Sequence, residues 1–594
     1  MFAGDHGVDR RRIGSPQGRG RVVGIGGFVL VEAFGAQAAE MVDGQIAGDG
    51  EKPGVKISPR IKAADLRGDA QPGLLEKVFG FRWLADQAEQ VAIQPMLITL
   101  DQDGERVQVP AAKPGHVGVE THSHLHRHRA GKLAYHTVLY TSQVAKKTHK
   151  YKATAISQTD ISASHGGQIE ILPNPAFVDE PVAVRVSGVA PSAKVTLRAA
   201  ARDDAGRAWE SRGVYVATED GRVDTGVQKS KAGSYRGVDA AGPFWSMSLQ
   251  GDAGAERATF CKNGAEADRV TITAEADGAW VASAMLERRW LTPNTETREL
   301  DAGEAVGWLF IPPGRERRRV VMVLGGSGGG YDLDKAALLS RHGFATLALA
   351  YFGVPPLPEW LHRVPLEYFA GVIEWLGAQP EIDARRIGVL GVSRGAELAL
   401  LLGSRLPQIR AVAAYAPSAV AWGSGGRDKA TGEAIPCWTS EEKAIPFAPL
   451  PLRGFIARSA IPVGLLRRPV KFRNLFRSAL RNREAVKRAA IPVEQTRGPI
   501  LLVSGGDDRV WPAARMAEMI VERLRACGFA YGVEHLNYRR AGHSLRYPAM
   551  PTTVRMSRSR GMKFPILFGG TALADAEAQA DAWRRSIAFF QKNL

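Results

Sequence analysis

Five residues constrain this chain more than any others: Gly391-Val392-Ser393-Arg394-Gly395, a G-x-S-x-G pentapeptide between an apolar run, Ile387 to Val392, and a run of helix formers, Gly395 to Arg405. A strand that turns directly into a helix forces its apex residue into a sparsely populated backbone conformation. It also brings strand and helix so close that side chains two positions either side of the apex do not fit, and glycine at both positions meets that demand. The pentapeptide alone recurs by chance in many proteins. Its strand and helix context makes it informative, because a serine so placed stands free above the end of a sheet.

A hydroxyl is a poor nucleophile until a base takes its proton, so a histidine is required, and an acid to orient it. Only His535 and His543 follow Ser393. His535 falls inside the expected strand Gly532 to Leu536, whereas His543 lies in the loop-like Arg540-Ala541-Gly542-His543-Ser544, where an imidazole can swing over the sheet. The expected base is therefore His543. The acid should follow the preceding strand, Ile500 to Ser504, and there Gly505-Gly506-Asp507-Asp508-Arg509-Val510-Trp511-Pro512 offers two aspartates. Asp508 has the better offset within this loop and Asp507 is the alternative, although either could simply cap a helix starting near Pro512. A tetrahedral oxyanion needs two backbone N–H donors: one expected from Arg394, the other from Gly325-Gly326-Ser327-Gly328-Gly329-Gly330, at Ser327 or Gly328. That glycine run lacks the Lys-Ser/Thr of a phosphate-binding loop. The order Ser, Asp, His is that of the α/β-hydrolase fold.

The surrounding pattern agrees. From Trp308 onward strand-like and helix-like runs alternate: Arg319 to Leu324, Leu333 to His342, Phe344 to Ala350, Leu366 to Leu376, then the Ser393 unit and Ile409 to Tyr415. This predicts an α/β fold, an α/β-hydrolase doubly wound sheet over about 305–594. Between 168 and 300 the pattern is short alternating runs (Val182 to Val186, Lys194 to Arg198, Trp209 to Val216, Val270 to Thr273, Trp280 to Ala282) separated by Gly, Asp and Pro, which predicts a small antiparallel β-sandwich domain before the hydrolase. Residues 1–160 keep neither period. They are expected to be a poorly ordered or non-native leader, with one helix at Leu75 to Val91. The run His122-Ser123-His124-Leu125-His126-Arg127-His128 reads as a solvated loop or, less simply, as histidines aligned on a strand for a metal.

The formal net charge of +17 implies an anionic partner, yet no zinc-finger spacing, RNP-like strand or basic zipper supports nucleic acid. Thirteen Lys or Arg face four acids between Cys437 and Arg497. The segment lies where such hydrolases carry a cap, and a basic cap would attract a polyanionic substrate. Its bland reading is a solvated helix face. No membrane-spanning run is found. Val22 to Ala39 resembles a signal peptide only weakly because Glu32 and several glycines interrupt it. Cys261, Cys437 and Cys527 show neither a disulfide framework nor metal-ligand spacing, so no metal or cofactor is expected, and a cytoplasmic location is.

Several stretches together resemble the acyl-CoA thioesterase / bile acid-CoA:amino acid N-acyltransferase family. They are Gly325 to Gly330, Gly343-Phe344-Ala345-Thr346-Leu347-Ala348-Leu349-Ala350-Tyr351, Gly391 to Leu398, Asp507 to Trp511, and Ala541 to Ser544, with Val178 to Val182 and Gly233 to Asp239 upstream. The resemblance covers about 168–594 and none of the first 160 residues. It implies an acyl thioester substrate with coenzyme A as leaving group, no metal, and a partner for the basic cap in the CoA phosphates. Bile acid conjugating members carry Cys at the nucleophile, so Ser393 points to hydrolysis. A carboxylesterase, a dienelactone-hydrolase-like enzyme, a peptidase or an inactive binding protein could share the same fold.

Overall fold

The computed structural model describes residues 166–251, 259–452, 454–455, 469–557 and 565–594 in full. It divides the chain into two units, 1–157 and 158–594. In the first unit the described backbone consists of three antiparallel strand pairs: Arg21–Ile25 with Phe28–Glu32, Thr99–Leu100 with Val107–Gln108, and Val119–Arg127 with Leu133–Thr141. From His122 to Arg127 the histidine run thus lies on a strand and not in a loop, and His128 lies outside the described residues. The helix expected at Leu75 to Val91 lies outside the described residues, as does most of the signal-like segment beyond Glu32.

In the second unit an eight-stranded sheet carries the fold. Its strands are β1 (Glu296–Glu299), β2 (Val306–Ile311), β3 (Arg318–Leu324), β4 (Ala345–Ala350), β5 (Ile382–Val392), β6 (Ile409–Tyr415), β7 (Ile500–Gly505) and β8 (Val533–Tyr538). Their spatial order is β1-β2-β4-β3-β5-β6-β7-β8. All neighbours from β4 to β8 are parallel, while β1 and β2 run antiparallel. Crossover helices cover both faces: α1 (Leu333–Ser340), α2 (Leu366–Ala378), α3 (Arg394–Arg405), α4 (Ala513–Ala526) and α5 (Ala572–Asn593). The continuous apolar strands follow from this. Along β3, Val320, Met322 and Leu324 belong to one apolar cluster and Val321 and Val323 to the other, so both faces are core from Val320 onward, and the polar Arg318 and Arg319 stand at the strand's start.

The sheet is therefore mixed, and β1 is a correction to the expected boundary. Its residues Glu296–Glu299 fall within the stretch whose pattern suggested the sandwich, yet they pair with β2. They are mostly exposed at the sheet edge, so they lack the apolar run that betrays a central strand.

Upstream, a larger sheet runs in the order Ala232–Gly233, Ala208–Val216, Lys194–Arg202, Asp268–Ala276, Ala279–Arg289 and Ala176–Phe177, with Ser248–Leu249 also on Ala208–Val216. A three-stranded sheet (Val223–Asp224, Ala183–Ser187, Gln168–Leu172) accompanies it. All pairs are antiparallel except Ala279–Arg289 with Ala176–Phe177. Its core is continuous with one face of the eight-stranded sheet. Polar ties reinforce the junction: buried Asp179 accepts from His342 Nε2 at 2.7 Å and Trp583 Nε1 at 2.8 Å and pairs with Arg341.

Between β6 and β7 the chain does not cross directly. It forms the strand pair Gly423–Arg427 with Ala434–Pro436, a second pair Trp438–Ser440 with Lys443–Ala444, and two short helices, Arg473–Ala479 and Arg483–Arg488.

Candidate active site

Ser393 ends β5 and opens α3 with φ 57° and ψ −116°, a conformation that L-residues occupy only when their surroundings impose it. The surroundings are the flanking glycines. A Cβ on Gly391 would lie 2.0 Å from the Gly395 carbonyl oxygen, and one on Gly395 would lie 2.3 Å and 2.4 Å from the oxygens of Gly325 and Leu324. The turn is thus wedged between its own helix and β3. Ser393 N–H donates to the Tyr415 carbonyl at 2.8 Å, which ties the apex to β6 as well.

The three residues singled out from sequence come together. Ser393 Oγ and His543 Nε2 are 3.1 Å apart, and His543 Nδ1 and Asp508 Oδ2 are 2.7 Å apart. This geometry is consistent with the tautomer that carries its proton on Nδ1, leaving Nε2 free to accept from the serine. Asp508 is 1% exposed. Its other oxygen accepts from the N–H groups of Val510 at 2.8 Å and Trp511 at 3.1 Å. One oxygen of Asp508 thus orders the loop after β7 while the other faces the imidazole; the helix α4 has Pro512 at its N-cap and takes no side-chain cap. Asp507 points elsewhere: it pairs with Arg509 at 2.5 Å and accepts from Gly570 N–H at 3.1 Å. His535 Nε2 lies 2.8 Å from Ser504 Oγ, inside the sheet edge, and burial lowers its pKa. Trp511 meets the His543 ring edge-on at 6.0 Å and walls one side.

Toward β3, the glycine loop reaches the serine at Gly326. A Cβ there would meet the Val392 carbonyl oxygen at 3.3 Å and the Ser393 Cβ at 3.4 Å. Ser327 and Gly328 follow directly, while Gly329 and Gly330 turn their N–H groups to Gly326 and Phe352.

Two acids around the site escaped the sequence reading. Glu397, one turn into α3 and fully buried, bonds Arg394 at 2.9 Å, Trp422 N–H at 3.0 Å and Trp438 Nε1 at 2.7 Å. Arg394 in turn donates to the Gly423 carbonyl at 2.9 Å. The pair clasps the start of α3 to the insertion after β6. A lone acid in an otherwise apolar helix was its only signal. Asp575, in the first turn of α5, accepts from Gly542 N–H at 2.7 Å, next to His543. Burial pushes its carboxyl up to about 7. Cys437 is fully buried beside this cluster, and burial pushes its thiol up to about 12, so it offers no competing thiolate. Among the described residues no cluster of His, Cys, Asp and Glu could hold a metal, and no helix is long and apolar enough to cross a membrane.

A hydroxyl hydrogen-bonded to an imidazole, and through it to a carboxylate, at the ends of parallel strands, has the arrangement that acyl transfer calls for. Known proteins point the same way. Residues 179–302 match the N-terminal region model of acyl-CoA thioester hydrolase/BAAT proteins, and residues 364–594 match the BAAT / acyl-CoA thioester hydrolase C-terminal model. Acyl-coenzyme A amino acid N-acyltransferase 1 of Mus musculus is 30% identical over 71% of this chain and 96% of its own length. Mitochondrial acyl-coenzyme A thioesterase 2 of Mus musculus is 31% identical over 70% of this chain and 87% of its own. The peroxisomal succinyl-coenzyme A thioesterase of the same organism is 29% identical over 70% and 94%. Among solved structures, a putative dienelactone hydrolase from Klebsiella pneumoniae aligns over 50% of this chain and 98% of that one at 15% identity, with a TM-score of 0.31, too low to add to the fold already described. With both regions matched in order and relatives aligned along nearly their whole length, the chain belongs to the acyl-CoA thioester hydrolase/BAAT family.

Proposed function

We propose that this protein hydrolyses acyl-CoA thioesters through an acyl-enzyme on Ser393. The observation that carries the reading is the hydrogen-bonded chain from Ser393 through His543 to Asp508. Ser393 Oγ attacks the thioester carbonyl carbon and its proton passes to His543 Nε2. Asp508 holds the imidazole and offsets the charge it gains. The oxyanion is received by the N–H of Arg394 and by one donor of the glycine loop, Ser327 or Gly328. The C–S bond breaks and the CoA thiolate takes the proton from His543. Water then attacks the acyl-serine, giving its proton to the same nitrogen, and the free acid leaves.

A second acceptor is supported by one observation: relatives of almost equal similarity are named as amino acid N-acyltransferases. An amine could replace water in the last step without any change to the triad. Both readings are tested by incubating the full chain with acyl-CoA esters of increasing length, with and without glycine or taurine, following free thiol and N-acyl product. CoA release with free acid as product supports hydrolysis, and an N-acyl amino acid moves the assignment to transfer. Cleavage of nitrophenyl esters with no CoA release would replace both by a carboxylic-ester hydrolase.

A further inference from the structure

A run of described cations in the insertion lies on and beside its two short helices. Arg477, Arg481, Arg483, Lys487 and Arg488 are exposed, with Lys471 just before them, and Glu484 is the one acid from 471 to 488. None of these six cations forms an ion pair among the described residues. Two arginines of α4 behave differently: Arg515 meets Glu518 and Glu522, and Arg523 meets Glu494. That is how a solvated helix face is usually built, with acids interleaved at helical spacing. Six like charges with the single Glu484 among them repel one another.

The helix pair also sits at the catalytic end of the sheet. Arg473 N–H donates to the Arg509 carbonyl, one residue past Asp508, at 3.0 Å. Ala421 N–H donates to Ala489 at 2.8 Å and Ile491 N–H to Ala419 at 3.0 Å, tying the second helix to the loop that leaves β6. From the first helix, Phe476 packs edge-on against Trp511 at 5.5 Å, and Trp511 packs against His543 at 6.0 Å. A single aromatic layer separates the cationic helix from the imidazole.

We propose that the exposed face of these two helices docks the phosphate groups of coenzyme A, an inference that rests on the acyl-CoA reading. The long pantetheine arm of CoA places its phosphates at a distance from the thioester, which suits a cationic rim beside the triad and not within it. Phosphates bound there add ground-state affinity and leave the reacting carbonyl to Ser393.

The test neutralises Arg481, Arg483, Lys487 and Arg488 to Gln in the full chain. All four are exposed, so the fold is not at stake. KM for an acyl-CoA should rise about tenfold or more with kcat nearly constant, since contacts to the phosphates hold the ground state and the transition state alike. The matching acyl-N-acetylcysteamine thioester, which lacks phosphates, should show no such rise. Free CoA titrated calorimetrically should bind the unmodified chain more tightly than the variant. An acyl-CoA KM unchanged by the four substitutions overturns the dock and leaves the thioesterase reading standing. CoA bound through these residues by a chain that does not cleave its acyl esters keeps the dock and removes the thioesterase reading. Retention of the unmodified chain on a nucleic-acid column, lost in the variant while CoA affinity stays the same, would also overturn it.

Discussion

The nucleophile elbow and the histidine loop supply the two partners of one hydrogen bond, and they are held by opposite means. Ser393 is fixed locally: β5, α3 and two glycines pressed on backbone carbonyls leave it no other conformation. His543 belongs to a segment without regular structure, and its supports come from far along the chain. Gly542 N–H rests on Asp575, His543 N–H on the Phe568 carbonyl, and Ser544 accepts from Gln579. Beyond it, the sandwich takes over. Arg288 Nη1 donates to the Ala549 carbonyl at 3.0 Å, Thr552 N–H to Trp245 at 3.0 Å, and Thr553 Oγ1 to Met247 at 2.6 Å. Trp290 packs edge-on against Tyr547 at 5.2 Å. The elbow rests on its own strand and helix and on the neighbouring β3 and β6, whereas the histidine loop draws on the sandwich as well.

The largest effects should come from the hydrogen-bonded chain itself, where the two modes of support meet. Ser393→Ala should lower kcat by about four orders of magnitude or more, with an unchanged melting temperature. Asp508→Asn should cost about three to four orders, because the amide favours the wrong imidazole tautomer, while Asp507→Asn should cost no more than a few-fold. Steady-state kinetics on one thioester decides all three. Comparable losses at Asp507 and Asp508 would mean that the hydrogen bonds around His543 do not set its tautomer in turnover.

The next prediction separates the two modes of support. Arg288 is fully buried, lies over the Phe244 ring at 4.4 Å, and joins Val178 at 2.6 Å to Ala549 across the junction. Arg288→Met keeps the bulk and removes both donors. It should lower kcat about tenfold, lower the melting temperature by several degrees, and leave fluorophosphonate binding sites on Ser393 intact at saturation. If stability falls and kcat does not, the sandwich merely shields the hydrolase core and has no part in placing His543.

The same contrast governs what could be read from sequence. The elbow and β3 to β7 rest on local period and glycine sterics, so they were legible residue by residue, and the proposal of Ser393 grew from the same pattern. His543 followed only by elimination, from chain order and the strand around His535. Asp508 and Asp507 are adjacent and chemically alike, and only the tertiary hydrogen bonds to Gly570, Arg509 and His543 distinguish them. Glu397 and Asp575 act on partners 25 to 41 and 33 residues away, a separation over which no pattern of period or spacing carries information. The edge strand β1 was hidden for a simpler reason: it has solvent on its faces and so no apolar run.

The smallest effect should come from Asp575, the carboxyl beneath Gly542 in the histidine loop. Its carboxyl is raised from the ordinary 3.8 to about 7, first by burial and also by the nearby Asp507 and Asp508, against the pull of the Gly542 hydrogen bond and Arg555. A raised carboxyl favours the folded state fully only below its unfolded value, so this contribution declines as pH climbs from about 4 to about 7 and is lost above that. Asp575→Asn keeps an oxygen for Gly542 N–H and removes the titration. The variant should therefore lose less stability than the parent between pH 5 and pH 8, with kcat at pH 8 within about threefold, since the elbow and the sandwich contacts are untouched. Thermal melts at the two pH values measure the difference directly. Parallel pH slopes would show that Asp575 is already ionised at pH 5, and that Gly542 N–H rests on a charged carboxylate throughout this range.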